Sequence, residues 1–279
     1  MIEVVLILIG LIWIFFASVQ DIKTREVANW LNFSLIVYVL GIRFFYSLFE
    51  LNNLMFFYQG LIGLLIFLIL GNIFYHGRLF GGGDAKLMIA LGVVLPLDVV
   101  FRSNLNIFIW FLVLFLFVGS IYGVIWSVAL MVINFKKFRL EFFKLFLKNR
   151  KLILIVELCA ILVLLLGFLD ILFFVVGIMI LVLPYFYLYA RAVDNSCMIS
   201  KMSVDKLREG DLLYKDIKVG KGVVRSNWEG ITRSEIVKIS KFKKFVFIRG
   251  GIPFVPVFLI SYLGIIYFYF NGFLFNFLF

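Results

Sequence analysis

The chain has 279 residues, of which 64% are hydrophobic and 19% aromatic, and its mean hydropathy is +1.12. This composition excludes a water-soluble domain and indicates an integral membrane protein. The formal net charge of +11 would suit nucleic acid or anionic lipid headgroups, so the distribution of the charge has to decide between them.

Apolar runs long enough to cross a bilayer, which takes about 17–25 residues each, recur along the chain. The first run begins Met-Ile-Glu without preceding basic residues, so we expect a retained anchor and not a cleaved signal peptide. The fold class predicted is an all-α polytopic membrane protein with about eight transmembrane helices and a small cytoplasmic β-rich domain. The predicted spans are residues 3–20, 29–49, 53–75, 86–101, 106–134, 152–168, 170–190 and 253–271.

The basic residues lie on one side of the predicted spans. Of the 27 Lys and Arg residues, 25 fall in four loops, at 21–28, 76–86, 135–151 and 191–250. By the positive-inside rule these loops face the cytoplasm, and the amino terminus lies outside. The net charge therefore reflects topology. We predict a cytoplasmic-membrane location with membrane lipid, and no nucleic acid, as a partner.

Composition divides the chain into five segments. Residues 135–151 alternate cations with Phe and Leu at helical spacing, which is typical of an amphipathic helix in the membrane interface. Residues 191–250 are polar and contain alternating stretches such as EIVKIS and FVFIRG, which predict short strands. The full division is 1–134 (membrane domain with the first five predicted spans), 135–151 (basic amphipathic helix), 152–190 (additional transmembrane hairpin), 191–250 (cytoplasmic β-rich domain) and 251–279 (C-terminal transmembrane helix).

Two aspartates stand beside predicted span boundaries on the cytoplasmic side. Asp21 opens the charged segment DIKTRE, and Asp84 follows three glycines in HGRLFGGGDAKLM at 76–88. Two carboxylates held close together share one proton, so that one can activate water while the other donates to a carbonyl. The glycine run leaves a peptide room to approach the backbone. We predict Asp21 and Asp84 as a catalytic pair and Gly81, Gly82 and Gly83 as substrate-binding residues.

Each aspartate also has a simpler interpretation. Asp84 can cap the helix that follows the glycines, and Asp21 can be an interfacial anion paired with Lys23 or Arg25. If the two are catalytic, the expected position of Asp84 in the first turn of a helix favours its ionised form, because the positive end of the helix dipole lies there.

The histidines and cysteines that other kinds of active site or metal site would need are few in this sequence. His76 is the single histidine, and Cys159 and Cys197 show no Cys-x-x-Cys spacing, which disfavours a zinc site and a Ser-His-Asp triad. Glu157 lies inside a predicted span, where an ionisable group usually faces protein or a water-filled cavity; we interpret it as structural. No cofactor and no metal are predicted.

Two segments carry a likeness to a known family. DIKTREVANWLN at 21–32 and GGGDAKLMIALG at 81–92 resemble the signature regions of type IV prepilin peptidases, membrane aspartic proteases of the Gly-x-Gly-Asp kind, and GIPFVPVFLIS at 251–261 is similar to their archaeal, preflagellin-processing branch. The resemblance implies that Asp21 and Asp84 are the catalytic aspartates. It also implies removal of a short basic leader from flagellin (archaellin) or pilin-like precursors on the cytoplasmic side. We expect Glu26 to attract that leader.

The chain departs from the family pattern in several places. Ala28 stands where proline is usual, the hairpin 152–190 is additional, and the cysteine-rich loop of bacterial enzymes that also have N-methyltransferase activity has no counterpart, so peptidase activity alone is expected. Gln20 precedes Asp21, which argues against the presenilin branch with its Tyr-Asp pair. A competing hypothesis is a cation-coupled transporter or channel that uses both aspartates as ion ligands. Transporter sites, however, usually lie near the bilayer midplane.

Overall fold

A computed structural model describes residues 2–220 and 222–272, and this part of the chain is mostly helical. Its helices are α1 (Ile2–Thr24), α2 (Asn29–Phe49), α3 (Met55–His76), α4 (Gly82–Val94), α5 (Phe101–Ile133), α6 (Phe135–Leu166), α7 (Ile171–Ser196), α8 (Arg233–Ser240) and α9 (Val255–Phe270). Its strands are β1 (Ile199–Ser203), β2 (Leu212–Leu213), β3 (Ile217–Val219), β4 (Gly222–Val224) and β5 (Phe245–Arg249). The end of the predicted segment 251–279, residues 273–279, lies outside the described residues.

Fewer helices than predicted have the dimensions of a membrane span. Within the described residues, five are long and apolar enough to cross a bilayer: α1, α2, α3, α5 and α7. The predicted fourth span, 86–101, is the 13-residue α4, and the predicted eighth, 253–271, is the 16-residue α9. The structure therefore supports a helical membrane protein with five candidate spans, and the count of eight is not reached.

Helix α6 joins two segments that the sequence analysis treated separately. It runs for 32 residues through both the basic amphipathic stretch 135–151 and the predicted sixth span. Neither Gly nor Pro stands between these stretches in the sequence, and residues without such breakers continue a helix. The change from basic to apolar composition therefore marks no break in the backbone. The hairpin turn follows only after Leu166.

The chain forms two compact units, residues 1–124 with 252–279, and residues 125–251. In the first unit α4 lies at the centre, packed against α1, α2 and α3. Its residues from Leu87 to Val94 are buried apart from the half-buried Ile89. A helix of 13 residues is about 20 Å long and is shorter than the bilayer core, so the surrounding helices have to satisfy its last carbonyl groups.

Helices α3 and α4 approach each other through glycine. A Cβ atom built on Gly63 would lie 2.1 Å from the carbonyl oxygen of Gly92, and one on Gly92 would lie 2.5 Å from the Gly63 oxygen. Side chains cannot occupy that space without separating the helices, since small residues set the distance between packed membrane helices.

We expect Gly63→Ala to destabilise the first unit and Gly41→Ala to leave it unchanged. The alanine methyl group at position 63 would meet backbone, which cannot rotate away, whereas a Cβ on Gly41 has no heavy atom within 4 Å. Thermal unfolding of the two purified variants in detergent measures the difference, expected to be at least about 2 kcal/mol. Equal stability would show that the α3–α4 contact is looser than described.

The second unit contains the α6–α7 hairpin. Tyr185 on α7 donates a hydrogen bond to Glu157 on α6. This contact satisfies the carboxylate predicted to be a structural acid, since an ionisable group at membrane depth needs a polar partner. Asp170 accepts a hydrogen bond from the Leu172 N–H and so begins α7 after the short connection.

The rest of the second unit holds the predicted strands and one unpredicted helix. β1 and β2 each pair antiparallel with β5, and β3 pairs antiparallel with β4. FVFIRG forms β5 with alternate residues buried, as predicted. EIVKIS, expected as a strand, lies instead in α8, where the Glu235 carboxylate accepts from the backbone N–H of the N-cap residue Thr232. Such a capping box starts a helix, and it outweighed the alternating pattern.

Candidate active site

Asp21 lies within α1, in its last turn. The helix continues to Thr24 and ends where Arg25 adopts φ +59°, with the Arg25 N–H donating to the Asp21 carbonyl at 2.8 Å. A left-handed residue of this kind closes many helices. Asp21 is only 6% exposed. It is therefore a buried carboxylate and not the solvated interfacial anion of the simpler interpretation, although the Arg25 charge acts on it.

Asp84 lies in the first turn of α4, directly after the glycine run. Its Oδ2 accepts a hydrogen bond from the Gly81 N–H at 3.3 Å, so the capping interpretation of Asp84 is also correct. Gly82 and Gly83 already belong to α4, and Gly81 is its N-cap with φ −71°. None of the three glycines has a positive φ. The observed backbone therefore does not require glycine for its conformation.

The fold brings the two carboxylates into electrostatic contact. Asp84 lies outside the five candidate spans, and burial, followed by the Asp21 charge, raises its pKa to about 7; the Gly81 hydrogen bond opposes this rise. Desolvation disfavours a charged carboxylate, and a neighbouring like charge does so again. The expectation that the helix dipole makes Asp84 the ionised partner is therefore reversed. Asp84 is therefore protonated in mildly acid solution and loses its proton around neutral pH.

A third element, unexpected from the sequence, completes the surroundings of Asp21. The Val255 N–H at the start of α9 donates to Asp21 Oδ2 at 3.0 Å. The sequence analysis assigned residues 251–261 to a span and to the family likeness, but not to the site. Pro253 and Pro256 could have indicated a helix start here, because proline is favoured in the first turn of a helix. The free N–H groups of such a turn can donate hydrogen bonds to a carboxylate.

An aromatic cluster lies beside the glycine run. Phe80, the residue before Gly81, has its ring centroid 5.6 Å from Phe115, 6.1 Å from Phe254 and 6.0 Å from Phe258. These edge-to-face and tilted ring contacts hold the start of α4 against α5 and α9. The cluster therefore packs the glycine run before Asp84 and the start of α9 against the same aromatic side chains.

The remaining predicted residues lie near the connection between α1 and α2. Glu26 is exposed there, which leaves its role as a leader contact a prediction. Lys86 donates to Asn29 Oδ1 at 2.7 Å and so joins α4 to α2. Ala28 has φ −63°, the value that a proline ring would impose. The turn geometry is thus kept without proline, and the Ala28 N–H donates to Gln20 Oε1 at 3.2 Å.

Fold and site together define a multi-pass helical membrane protein with two interacting aspartates, of which Asp21 is buried and Asp84 half-buried. Residues 8–128, which include both aspartates and make up less than half of the chain, match the type IV leader peptidase family.

Two relatives carry the name preflagellin peptidase. The chain is 32% identical to the one from Methanococcus voltae and 30% identical to the one from Methanocaldococcus jannaschii, in each case over 90 residues. These matches cover 32% of this chain and 37% of each relative. No solved structure gives a significant match.

Proposed function

We propose that the chain is a membrane-embedded aspartic endopeptidase that removes the leader peptide from flagellin (archaellin) or type IV pilin-like precursors. The observation that carries the proposal is the electrostatic interaction between Asp21 and Asp84, which acts with burial to raise the pKa of Asp84 to about 7. A carboxyl pair that keeps one proton at neutral pH is what peptide hydrolysis by two aspartates requires. The family match over residues 8–128 supports it.

The chemistry follows from the two protonation states. Ionised Asp21 accepts a proton from water as the water oxygen bonds to the scissile carbonyl carbon, and Asp84 donates its proton to the carbonyl oxygen. The resulting gem-diol then collapses. The C–N bond breaks, Asp21 passes its proton to the departing nitrogen, and a diol hydroxyl returns a proton to Asp84, which restores the starting state.

The glycine run is the proposed docking place for the substrate backbone. A Cβ on Gly81 or Gly82 would come no closer than 3.4 Å to its neighbours, and both residues are exposed. The fold therefore has ordinary space for side chains there. We infer that the missing side chains serve an approaching extended peptide, as glycine does where another backbone comes close. Glu26, at the same end of α1, would attract a basic leader.

The charge distribution supports an orientation with this end of the bundle in the cytoplasm. Within the first unit, the connections beside Asp21 and Asp84 carry Lys23, Arg25, Arg78 and Lys86, and the positive-inside rule assigns basic connections to the cytoplasmic face. A leader would then be removed on the side where the precursor is made. The proposed location is the cytoplasmic membrane.

The proposal is tested with the purified full chain in proteoliposomes. Precursors of an archaellin and of a type IV pilin, each with its native basic leader, are incubated separately, and leader removal is followed by mass spectrometry of the new amino terminus. Cleavage at one junction in either precursor is expected, and the comparison reveals the preferred substrate. Intact precursors together with cation flux across the vesicle membrane would replace the peptidase by the transporter hypothesis.

Leader cleavage is expected to decline as the pH rises through about 7, where Asp84 loses its proton. Below that pH Asp84 is protonated and can donate to the carbonyl oxygen; above it the rate should fall about tenfold for each pH unit. Initial rates between pH 5 and 9, with folding checked by gel filtration at each pH, measure this limb. A rate that stays level to pH 9 would contradict Asp84 as the proton donor.

A further inference from the structure

The start of α9 contacts Asp21 through backbone. The Val255 N–H donates to Asp21 Oδ2 at 3.0 Å, and the Phe254 backbone also forms a hydrogen bond with this carboxylate. Ser18, one turn before Asp21 on α1, donates its hydroxyl hydrogen to the Ile14 carbonyl at 2.8 Å, and its oxygen lies 3.4 Å from the Val255 carbonyl oxygen. The first turn of α9 therefore packs closely on α1 at Ser18 and is hydrogen-bonded to it at Asp21.

The position of this turn is set by rigid groups. Pro256 occupies the first turn of α9, where proline fixes φ and adds no N–H of its own. The Phe254 ring lies 5.7 Å from Phe115 and 6.4 Å from Tyr122, centroid to centroid. The amides that meet Asp21 therefore cannot move away without disturbing the packing between α5 and α9.

Amides at a helix start favour a negative charge in front of them. Hydrogen bonds to an ionised carboxylate are stronger than those to its neutral form, and the helix dipole adds to the preference. The other charged or titratable groups that face Asp21 are Asp84 from α4, Arg25 after α1 and Tyr122 from α5. Asp84, by contrast, receives one backbone N–H at a longer 3.3 Å. The two carboxylates therefore differ in their hydrogen bonds, because the amides at the start of α9 donate to Asp21 and not to Asp84.

We propose that the first turn of α9 is a positioning element of the active site: the Val255 and Phe254 amides hold Asp21 as the ionised base and leave the shared proton on Asp84. This inference rests on the proposed peptidase function. It assigns the acid and base roles and makes the sequence GIPFVP at 251–256 part of the site, although no side chain of this stretch takes part in the chemistry.

The test removes the Val255 amide hydrogen from the full chain. Val255→Pro deletes the donor, and a second variant carries the α-hydroxy acid of valine at position 255, so that an ester replaces the amide while the side chain stays. Both are expected to cleave precursor at least about tenfold more slowly. At low pH the rate should fall as the base Asp21 takes up a proton, and this acidic limb of the pH–rate profile should move to a pH about one unit higher, a tenfold change in proton affinity. The limb near 7, which belongs to Asp84, should stay in place.

Val255→Ala is the matched control, because it removes side-chain packing and keeps the N–H. Its acidic limb should coincide with that of the unmodified protein whatever its rate. If Val255→Pro does not fold, the ester variant decides. An unmoved acidic limb in the ester variant overturns the inference, provided the unmodified chain cleaves precursor. Absence of cleavage by the unmodified chain would instead remove the peptidase proposal on which the inference rests.

Discussion

Asp21→Asn and Asp84→Asn are each expected to reduce leader cleavage by more than about 100-fold, with the precursor remaining at full length on a gel. Asparagine keeps the size and much of the hydrogen bonding of aspartate but cannot exchange a proton. The variant at position 21 loses the proposed base that accepts the water proton, and the variant at position 84 loses the proposed donor to the carbonyl oxygen. Neither partner can replace the other, because the step needs both at once.

Asp98→Asn provides the matched control. Asp98 is a third carboxylate of the same unit, and its Oδ1 accepts the Val99 N–H at 2.6 Å as α5 begins. Asn can accept the same bond. Asp98 acts electrostatically on Tyr269, near the end of α9 opposite Val255, about 20 Å away by helix length. Asp98→Asn should cleave normally. Cleavage retained by a folded Asp21→Asn or Asp84→Asn variant would show that the pair is not catalytic.

Neither asparagine variant is expected to lose much stability. Asp84→Asn should be neutral or slightly stabilising, because removing a carboxyl with a raised pKa relieves its desolvation cost. Asp21→Asn loses a charge-assisted bond from the Val255 N–H but also removes a group on which desolvation is the largest electrostatic effect. The two contributions oppose each other, so the free energy of unfolding should change by less than about 1 kcal/mol. Thermal unfolding of both variants in detergent gives this comparison alongside the cleavage assay.

Arg43→Met is expected to have the largest effect on stability, at least about 3 kcal/mol, with little folded protein recovered. Arg43 on α2 is fully buried. Its Nε donates to the Val93 carbonyl at 2.9 Å and its Nη1 to the Phe56 carbonyl at 3.1 Å, while Nη2 donates to the Pro96 carbonyl. The guanidinium also lies 4.5 Å from the centroid of the Phe56 ring. Methionine would take this donor from the Val93 and Pro96 carbonyl groups at the end of α4, inside the bundle.

This arginine explains how a 13-residue helix ends inside a membrane unit. The carbonyl groups at the end of α4 lack partners within their own helix, and the planar guanidinium provides several donors in a fixed geometry. Arg43→Lys should therefore rescue only part of the loss. Arg102→Met, which removes an exposed arginine at the start of α5, should change stability by less than about 1 kcal/mol. Equal unfolding temperatures for the variants at positions 43 and 102 would contradict the proposed role of Arg43.

Much of the candidate site was open to prediction because its signals are local. Charged residues after an apolar run mark its end, and a glycine run followed by an acid marks a turn and a helix start. Those patterns identified Asp21 and Asp84. The donor to Asp21, however, comes from a residue 234 positions away, and no local pattern predicts so distant a hydrogen bond. For the same reason the role of Arg43 could not be predicted, because the carbonyl groups it binds at the end of α4 are about 50 residues away in sequence. The sequence shows Arg43 only as a basic residue outside the basic loops.

Local patterns also misled where two of them competed. EIVKIS alternates as a strand does, but Thr232 and Glu235 three residues apart form a capping box, and the segment is helical. The dipole at the start of α4 favours a charged Asp84, but burial beside Asp21 acts more strongly in the opposite direction. In both cases the weaker effect was the easier one to read from the sequence.

By itself the sequence determined that this is a helical membrane protein with a basic side and two aspartates at the ends of apolar segments, because hydropathy and charge act residue by residue. Only the tertiary structure showed what raises the pKa of Asp84, which distant amide donates to Asp21, and how a short helix ends within the bundle. Those outcomes depend on desolvation and on hydrogen bonds between distant segments, which exist only once the helices have packed.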